Sequence, residues 1–358
     1  MDPIRNTMHQ LLTLMVKQGA SDLHISTNSP PKLRIDGDLI PLKSDPLTSA
    51  QTRALCMSLL NEEQRKRFEA ENELDFSFGI EDFARFRGNI FSQRGTVAGA
   101  FRYIPTRTRS FEELALPPVM KEMAELPRGL FLVTGPTGSG KSTTLATLID
   151  HINRTFKKHI ITVEDPIEYI HKNQQSLVNQ REVGSDTESY HTAVRYLLRQ
   201  DPDVVLLGEL RDRESIETAL VMAETGHLVL STLHTNSCAQ TINRIIDVFP
   251  AEQQDQIRTQ LSFVLEGVVC QQLLPKASGH GRVIALEIMI ATAGIRNLIR
   301  EDKIHMIYST IQLNRTKSNM QTMNQCLCDL CMKKLITVDE ALSRSSDTVE
   351  LKQLLGIS

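Results

Sequence analysis

The chain has 358 residues, 41% of them hydrophobic and 23% charged, with a net charge of −3. That length holds two or three domains of ordinary globular composition. It has no apolar run long enough for a bilayer and no Lys/Arg-rich stripe for nucleic acid, and Met1-Asp2-Pro3-Ile4-Arg5 lacks the basic-then-apolar order of a signal peptide. A cytoplasmic protein is expected, with no direct membrane insertion and no nucleic-acid partner.

Ile4, Leu11, Leu12 and Met15 give an amphipathic helix closed by Gly19. Leu33 to Ile40 alternates around Asp36-Gly37 and reads as a hairpin. Helical stretches follow over Ser49 to Leu60 and Glu62 to Glu71. Strand-like runs come next: Leu74 to Phe78, Arg85 to Ser92 and Thr96 to Ile104, with Arg94-Gly95 turning between the last two. Arg85, Arg87, Arg94 and Arg102 lie on or between these runs, where edge-strand arginines usually keep a sheet soluble. Residues 1–104 thus read as a small α+β domain and 105–110 as a linker. Residues 111–358 read as a second, alternating β/α domain with C-terminal helices.

The second domain carries Gly135-Pro136-Thr137-Gly138-Ser139-Gly140-Lys141-Ser142-Thr143, which matches the phosphate-binding pattern G-x-x-x-x-G-K-[ST]. Its glycines turn backbone N–H groups toward phosphate oxygens, so Gly135, Thr137, Gly138, Ser139, Gly140 and Thr143 are expected around ATP. Lys141 can reach the β- and γ-phosphates, and Ser142 can ligate Mg²⁺. The flanks suit the motif. Leu130 to Thr134 is a short apolar run, and Leu145, Leu148, Ile149 and Ile152 share one face of a following helix.

Three more apolar runs end in polar residues, Ile160 to Glu164, Val204 to Glu209 and Leu228 to Thr232. Ligands of open parallel sheets bind at such carboxyl ends. Glu209 is placed to act on the Mg²⁺ shell through water, and the pair Glu164-Asp165 offers a carboxylate for the attacking water. His227 and His234 bracket the last run. Either can hydrogen-bond a γ-phosphate, although His227 reads equally well as a structural residue; His234 follows the strand's carboxyl end. A helical region is expected from Ala251 to about Leu274, a strand over Val283 to Met289, and a mostly helical tail beyond Thr292. Six scattered cysteines suit a reducing compartment. Cys326, Cys328 and Cys331 lack a fourth ligand and read as buried helical thiols rather than a metal site.

Four blocks occur in order: Gly135–Thr143, Thr162–Tyr169, Arg199-Gln200-Asp201-Pro202-Asp203 leading to Gly208-Glu209-Leu210-Arg211-Asp212, and Gly226–Asn236. Together they resemble the Walker A, Asp box, Walker B and His box of the secretion ATPases of the type II secretion and type IV pilus superfamily. Ala20 to Ser26 and the block Gly294-Ile295-Arg296-Asn297-Leu298-Ile299-Arg300-Glu301 resemble its pilus retraction ATPases, whose block opens with Ala where Gly294 stands here. The resemblance covers nearly the whole chain.

It implies a PAS-like α+β N-terminal domain followed by a RecA-like P-loop ATPase domain, and assembly as a homo-hexamer. It implies Glu164 as catalytic carboxylate, Glu209 as Walker B acid and His234 as part of the His box. Arg87 and Arg102 match the arginines that reach the nucleotide from the N-terminal domain, which revises their solubilising reading. Arg195, Arg199 and Arg211 match family arginines without assigned roles. The partner implied is an inner-membrane pilus platform protein, with the motor peripheral to that membrane. The tetracysteine zinc site and long N-terminal extension of extension ATPases are missing, which favours retraction. Within the retraction block, Ile295, Leu298 and Ile299 share one helical face, and Arg296, Asn297 and Arg300 are expected on a polar one.

Overall fold

The structure, a computed structural model, describes residues 3–35, 37–80, 83–105 and 107–357. Asp36 of the expected hairpin turn and Thr106 of the expected linker lie outside these. The chain forms two compact units, Met1–Arg107 and Thr108–Ser358.

In the first unit, α1 (Pro3–Lys17) buries Met8, Leu12 and Met15, a four-then-three spacing that puts one helix face on the core. Strands β1 (Asp22–Ile25), β2 (Lys32–Ile35) and β3 (Asp38–Pro41) lead to α2 (Ser49–Met57) and α3 (Glu62–Glu71). Each of these two helices starts with a capping box, Thr48 with Gln51 and Asn61 with Gln64, which pairs N–H groups that the first turn leaves free. Strands β4 (Glu73–Ile80), β5 (Ala84–Gln93) and β6 (Thr96–Ile104) complete a six-stranded antiparallel sheet in the order β3-β2-β1-β6-β5-β4. Alternate residues of β5, including Phe86 and Ile90, point into the core beside Phe101 of β6. The edges of this sheet are β3 and β4. The arginine-bearing β5 and β6 are therefore interior strands, contrary to the edge-strand reading. Their register sets Arg87 directly opposite Arg102.

The second unit runs through α4 (Pro118–Ala124), β7 (Gly129–Thr134), α5 (Lys141–Thr155), β8 (His159–Glu164), β9 (Leu177–Glu182), α6 (Tyr190–Leu197), β10 (Val204–Leu207), α7 (Arg213–Glu224), β11 (Leu228–Leu233), α8 (Cys238–Asp247) and α9 (Ala251–Val264). It continues through β12 (Leu265–Pro275), β13 (Arg282–Ile290) and α10 (Ala293–Arg300), and short helices follow. Its seven-stranded sheet has the order β13-β12-β7-β11-β10-β8-β9 and is parallel except for the β12–β13 pair. Helices cover both faces, so the central strands are buried throughout. The two-residue period splits them between two cores. Leu130, Leu132, Val205, Leu207 and Val229 enter one, while Phe131, Val133, Val204, Leu206 and Leu230 enter the other.

Three expectations change. The helix from Ala251 stops at Val264, and Leu265 to Pro275 is strand β12. Gly267-Val268-Val269 is poor helix and good strand, and β12 fits between β7 and β13. Gly267 suits the tight packing there, since a Cβ would lie 3.1 Å from the Met289 carbonyl oxygen and 3.2 Å from the Phe131 ring. Strand β9 was not anticipated; Leu177-Val178-Asn179-Gln180-Arg181-Glu182 is too polar to signal a strand, and it forms by adding to the exposed edge of β8. Of the three C-terminal thiols, on the helix Met323–Met332, only Cys326 is buried; Cys328 and Cys331 are half-buried.

Candidate nucleotide site

The parallel register brings the carboxyl ends of β7, β11, β10 and β8 side by side. The phosphate loop begins where β7 ends. Gly135 has φ +138°, and a Cβ on it would lie 2.2 Å from the Gln271 carbonyl oxygen of β12, so only glycine fits. Gly140, at φ +90°, caps the start of α5. Ser139 is buried and its hydroxyl has no partner among the described residues, which leaves it available to a phosphate oxygen. Thr137 and Gly138 at the loop tip, and Ser142 in the first turn of α5, are exposed. The loop and the helix N-terminus together form an anion site.

Lys141 opens α5 and is buried. Its Nζ donates to the carbonyl oxygens of Gly135 at 2.8 Å and Pro136 at 3.2 Å, and lies 3.4 Å from His234 Nδ1. Burial lowers its pKa, and the Glu209 carboxylate opposes that shift. His234 Nε2 lies 3.1 Å from Glu209 Oε1. These partners assign the tautomer: Nδ1 accepts from the ammonium, and Nε2–H donates to the carboxylate. Glu209 Oε2 accepts from Arg211 Nε at 2.9 Å. The phosphate loop, the Walker B segment and the His box thus join in one chain of contacts, from Lys141 through His234 and Glu209 to Arg211.

Glu164 ends β8. Its Oε1 accepts from the Thr162 hydroxyl at 2.6 Å and from Gln180 Nε2 at 3.4 Å. Burial nevertheless pushes its pKa up to about 7. The next strand end lies close beside it: Gly208 N–H donates to the Val163 carbonyl, and a Cβ on Gly208 would lie 3.4 Å from Glu164 Cα. Gln180 also donates to the Tyr169 carbonyl, and the Tyr169 hydroxyl meets Thr143 Oγ1 at 2.9 Å. The Asp box segment is thereby tied to the loop as well as to β9.

His227 does not join this site. It precedes β11 at the amino end, six strand residues away from His234, a span of roughly 20 Å at strand rise. Its Nδ1 hydrogen-bonds the Met222 carbonyl at 2.9 Å, and its own carbonyl accepts from Gly129. This is the structural reading of His227; the nucleotide-binding one is corrected by the strand's direction. In the first unit, Arg102 Nε donates to Asp22 at 2.8 Å, and Arg87 lies 3.8 Å from Asp75. Arg195 and Arg199 are exposed on and after α6.

Sequence reasoning missed Tyr169, Gln180 and Gln271. Gln271 lies on the strand read as helix, and Gln180 on the strand not read at all. Each is recruited by residues far away in the chain, so no local pattern marks it.

The retraction block forms α10. Ile295 and Ile299 are buried and Leu298 half-buried, as the helical spacing predicts. Arg296 is not on a solvated face. It donates to the carbonyls of Ala291, Ser262 and Phe263 at 2.8, 3.0 and 2.8 Å and to Glu266 Oε2 at 2.9 Å.

Among the described residues, no helix is long and apolar enough to cross a membrane. The family model for type II/IV secretion system proteins matches residues 1–338. The chain is 50% identical over 336 residues to the type IV pilus retraction ATPase PilT of Pseudomonas aeruginosa, covering 94% of this chain and 97% of that one. It is 46% identical over 318 residues to a twitching motility protein of Neisseria gonorrhoeae, covering 89% and 85%. A crystal structure of the pilus retraction motor PilT with bound ADP superposes with a TM-score of 0.90 at 49% identity, covering 96% of this chain and 98% of that one. The chain belongs to the type II/IV secretion system protein family.

Proposed function

We infer that this chain is a Mg²⁺-dependent ATPase that works as a hexamer to retract type IV pilus filaments, acting from the cytoplasm on a platform protein of the inner membrane. The observation that carries the ATPase reading is the Lys141–His234–Glu209 chain beside Glu164, at the carboxyl edge of a parallel sheet. Near-full-length similarity to the Pseudomonas and Neisseria proteins supports retraction, as does the retraction-type block on α10. The hexamer and the platform partner rest on the family resemblance.

Among the described residues, no group of three or more His, Cys, Asp or Glu is placed to hold a metal by itself. Mg²⁺ does not need one, because it takes one or two protein oxygens together with waters and substrate phosphates. The exposed Ser142 hydroxyl and the Glu209 carboxylate are oxygens of that kind, so the residues fit. Ser142 would hold the ion directly and Glu209 through water. Bound there, the ion would offset charge on the β- and γ-phosphate oxygens.

The chain's own groups do the rest. The Lys141 ammonium exchanges the Gly135 and Pro136 carbonyls for phosphate oxygens. His234 turns a nitrogen to the γ-phosphate, and Glu164 accepts the proton of the attacking water. ATP turnover by the purified chain, with Lys141→Ala as the control that falls to background, tests the enzyme. Deletion of the gene tests the direction: loss of twitching with excess surface pili is expected. Loss of pili would mean extension instead.

A further inference from the structure

The phosphate loop is held from beneath by one side chain. Gln271 lies on β12 and is fully buried. Its Nε2 donates to the Ser139 carbonyl at 2.7 Å, and its Oε1 accepts from the Thr144 hydroxyl at 3.0 Å. These contacts reach across 132 and 127 residues of sequence, onto the loop and the first turn of α5. Its backbone carbonyl meets the loop a third time, at Gly135.

A planar trans peptide sets its C=O and its N–H in opposite directions. The peptide between Ser139 and Gly140 has its oxygen drawn toward β12 by Gln271. Its N–H, carried by Gly140, is therefore aimed away from β12. The carboxamide's sense is set by the Ser139 carbonyl, which can only accept and so takes the NH₂ group, and the Thr144 hydroxyl donates to the oxygen that remains. An isolated loop would choose between this peptide orientation and its flipped form, and Gly140, the residue with most backbone freedom, would offer little resistance.

We propose that Gln271, held in place by Thr144, is a positioning residue that presets the Gly140 peptide so that its N–H faces bound phosphate. The proposal rests on the nucleotide-binding reading given above. Backbone N–H contacts to phosphate form on binding and persist in the transition state. Their loss therefore weakens nucleotide affinity without a matching loss of kcat. A wrongly set peptide would also turn a carbonyl oxygen toward the anion.

The test measures binding of a fluorescent ADP, the KM and kcat for ATP, and thermal unfolding. The variants are Gln271→Met, Thr144→Val and Thr144→Ser, in the full chain. Gln271→Met keeps the volume and removes both hydrogen bonds. The expected result is about a tenfold rise in the Kd for ADP and in the KM for ATP, equivalent to ~1.4 kcal/mol, with kcat within about twofold. Thr144→Val is expected to show part of this effect, and Thr144→Ser, which keeps the hydroxyl, to behave as wild type. The Gln271→Met, Thr144→Val double variant is expected to be no worse than Gln271→Met alone, because both act through one contact.

Unchanged affinity in folded Gln271→Met would overturn the proposal, even with a lower melting temperature, since that is a purely structural role. So would a loss of kcat at unchanged affinity. If Gln271→Met does not fold, the two Thr144 variants decide: equal affinity for Val and Ser overturns the proposal. Wild-type protein that binds no ADP at all would instead sink the nucleotide-site reading on which this rests.

Discussion

Glu164 shows how one residue sets rate and stability against each other. Its carboxyl is pushed from the ordinary 4.5 up to about 7 by burial, against the Thr162 and Gln180 hydrogen bonds, which favour the charged form. A general base must be ionised, so turnover should rise with pH through about 7 and level off above it. Stability runs the other way. The folded pKa lies above the unfolded one, so the contribution is fully present below 4.5 and is lost as pH rises through about 7, where the fold must bury a charge. Glu164→Gln removes that charge and the proton acceptor together. The expected variant binds ATP, turns over at background level, and melts higher than wild type at pH 8, with a much smaller difference at pH 5. Thermal unfolding at the two pH values checks this; a lower melting temperature at pH 8 would contradict the assignment.

Among the elements, α9 and α10 depend on each other through Arg296. A helix leaves its last four carbonyls without intrahelical donors. Arg296 NH1 reaches two of those of α9, at Ser262 and Phe263, and the same guanidinium pairs with the half-buried Glu266. Helical spacing alone placed Arg296 on a polar face. Its side chain is in fact only 25% exposed. Arg296→Ala is now expected to destabilise by about 2–4 kcal/mol, from lost charge-assisted bonds and an unpaired Glu266. Asn297 instead reaches Glu301 and Arg300 at the surface. Asn297→Ala should leave melting and ATP turnover near wild type, and it is the cleaner probe of whether this block transmits motion. Loss of twitching in a strain carrying it alone is the expected result. Denaturant titration of both variants checks the contrast, and equal stabilities would refute it.

At the scale of the molecule, the first unit is expected to matter to turnover in the second. Arg87 and Arg102 face each other across β5 and β6, and like charges directly opposite destabilise a sheet by up to about 1 kcal/mol. Asp22 and Asp75 offset this in part, but Arg102 remains 64% exposed, so its pair with Asp22 is worth about 1 kcal/mol at most. The family resemblance is what assigns both arginines to a nucleotide. Arg87→Ala and Arg102→Ala should each lower kcat more than nucleotide affinity, while melting changes little. Steady-state kinetics beside a melting curve checks this. A large drop in melting temperature with normal turnover of the folded protein would leave both arginines with a structural role alone.

Much of this was legible along the chain because its causes are local. The phosphate loop is nine consecutive residues, Glu164 and Glu209 each follow their own apolar run, and Leu145, Leu148, Ile149 and Ile152 repeat at helical spacing. Most of the first unit was readable for the same reason, since α2 and α3 carry their caps and the β5–β6 hairpin its own turn, Arg94-Gly95, but strand β1 was not read. The tertiary structure decided what depends on neighbours distant in sequence. Leu265 to Pro275 is strand rather than helix because β7 and β13 supply its hydrogen bonds. His227 and His234 sit at opposite ends of one strand, and the strand's direction in the sheet decides which of them meets Lys141. Arg296 is held by carbonyls that α9 presents, and Gln271 acts on a loop 132 residues away. Periodicity shows which face of an element is apolar. Which partner satisfies a buried polar group is settled only when the chain has packed, because that group must be paired wherever the fold happens to bring a donor or acceptor.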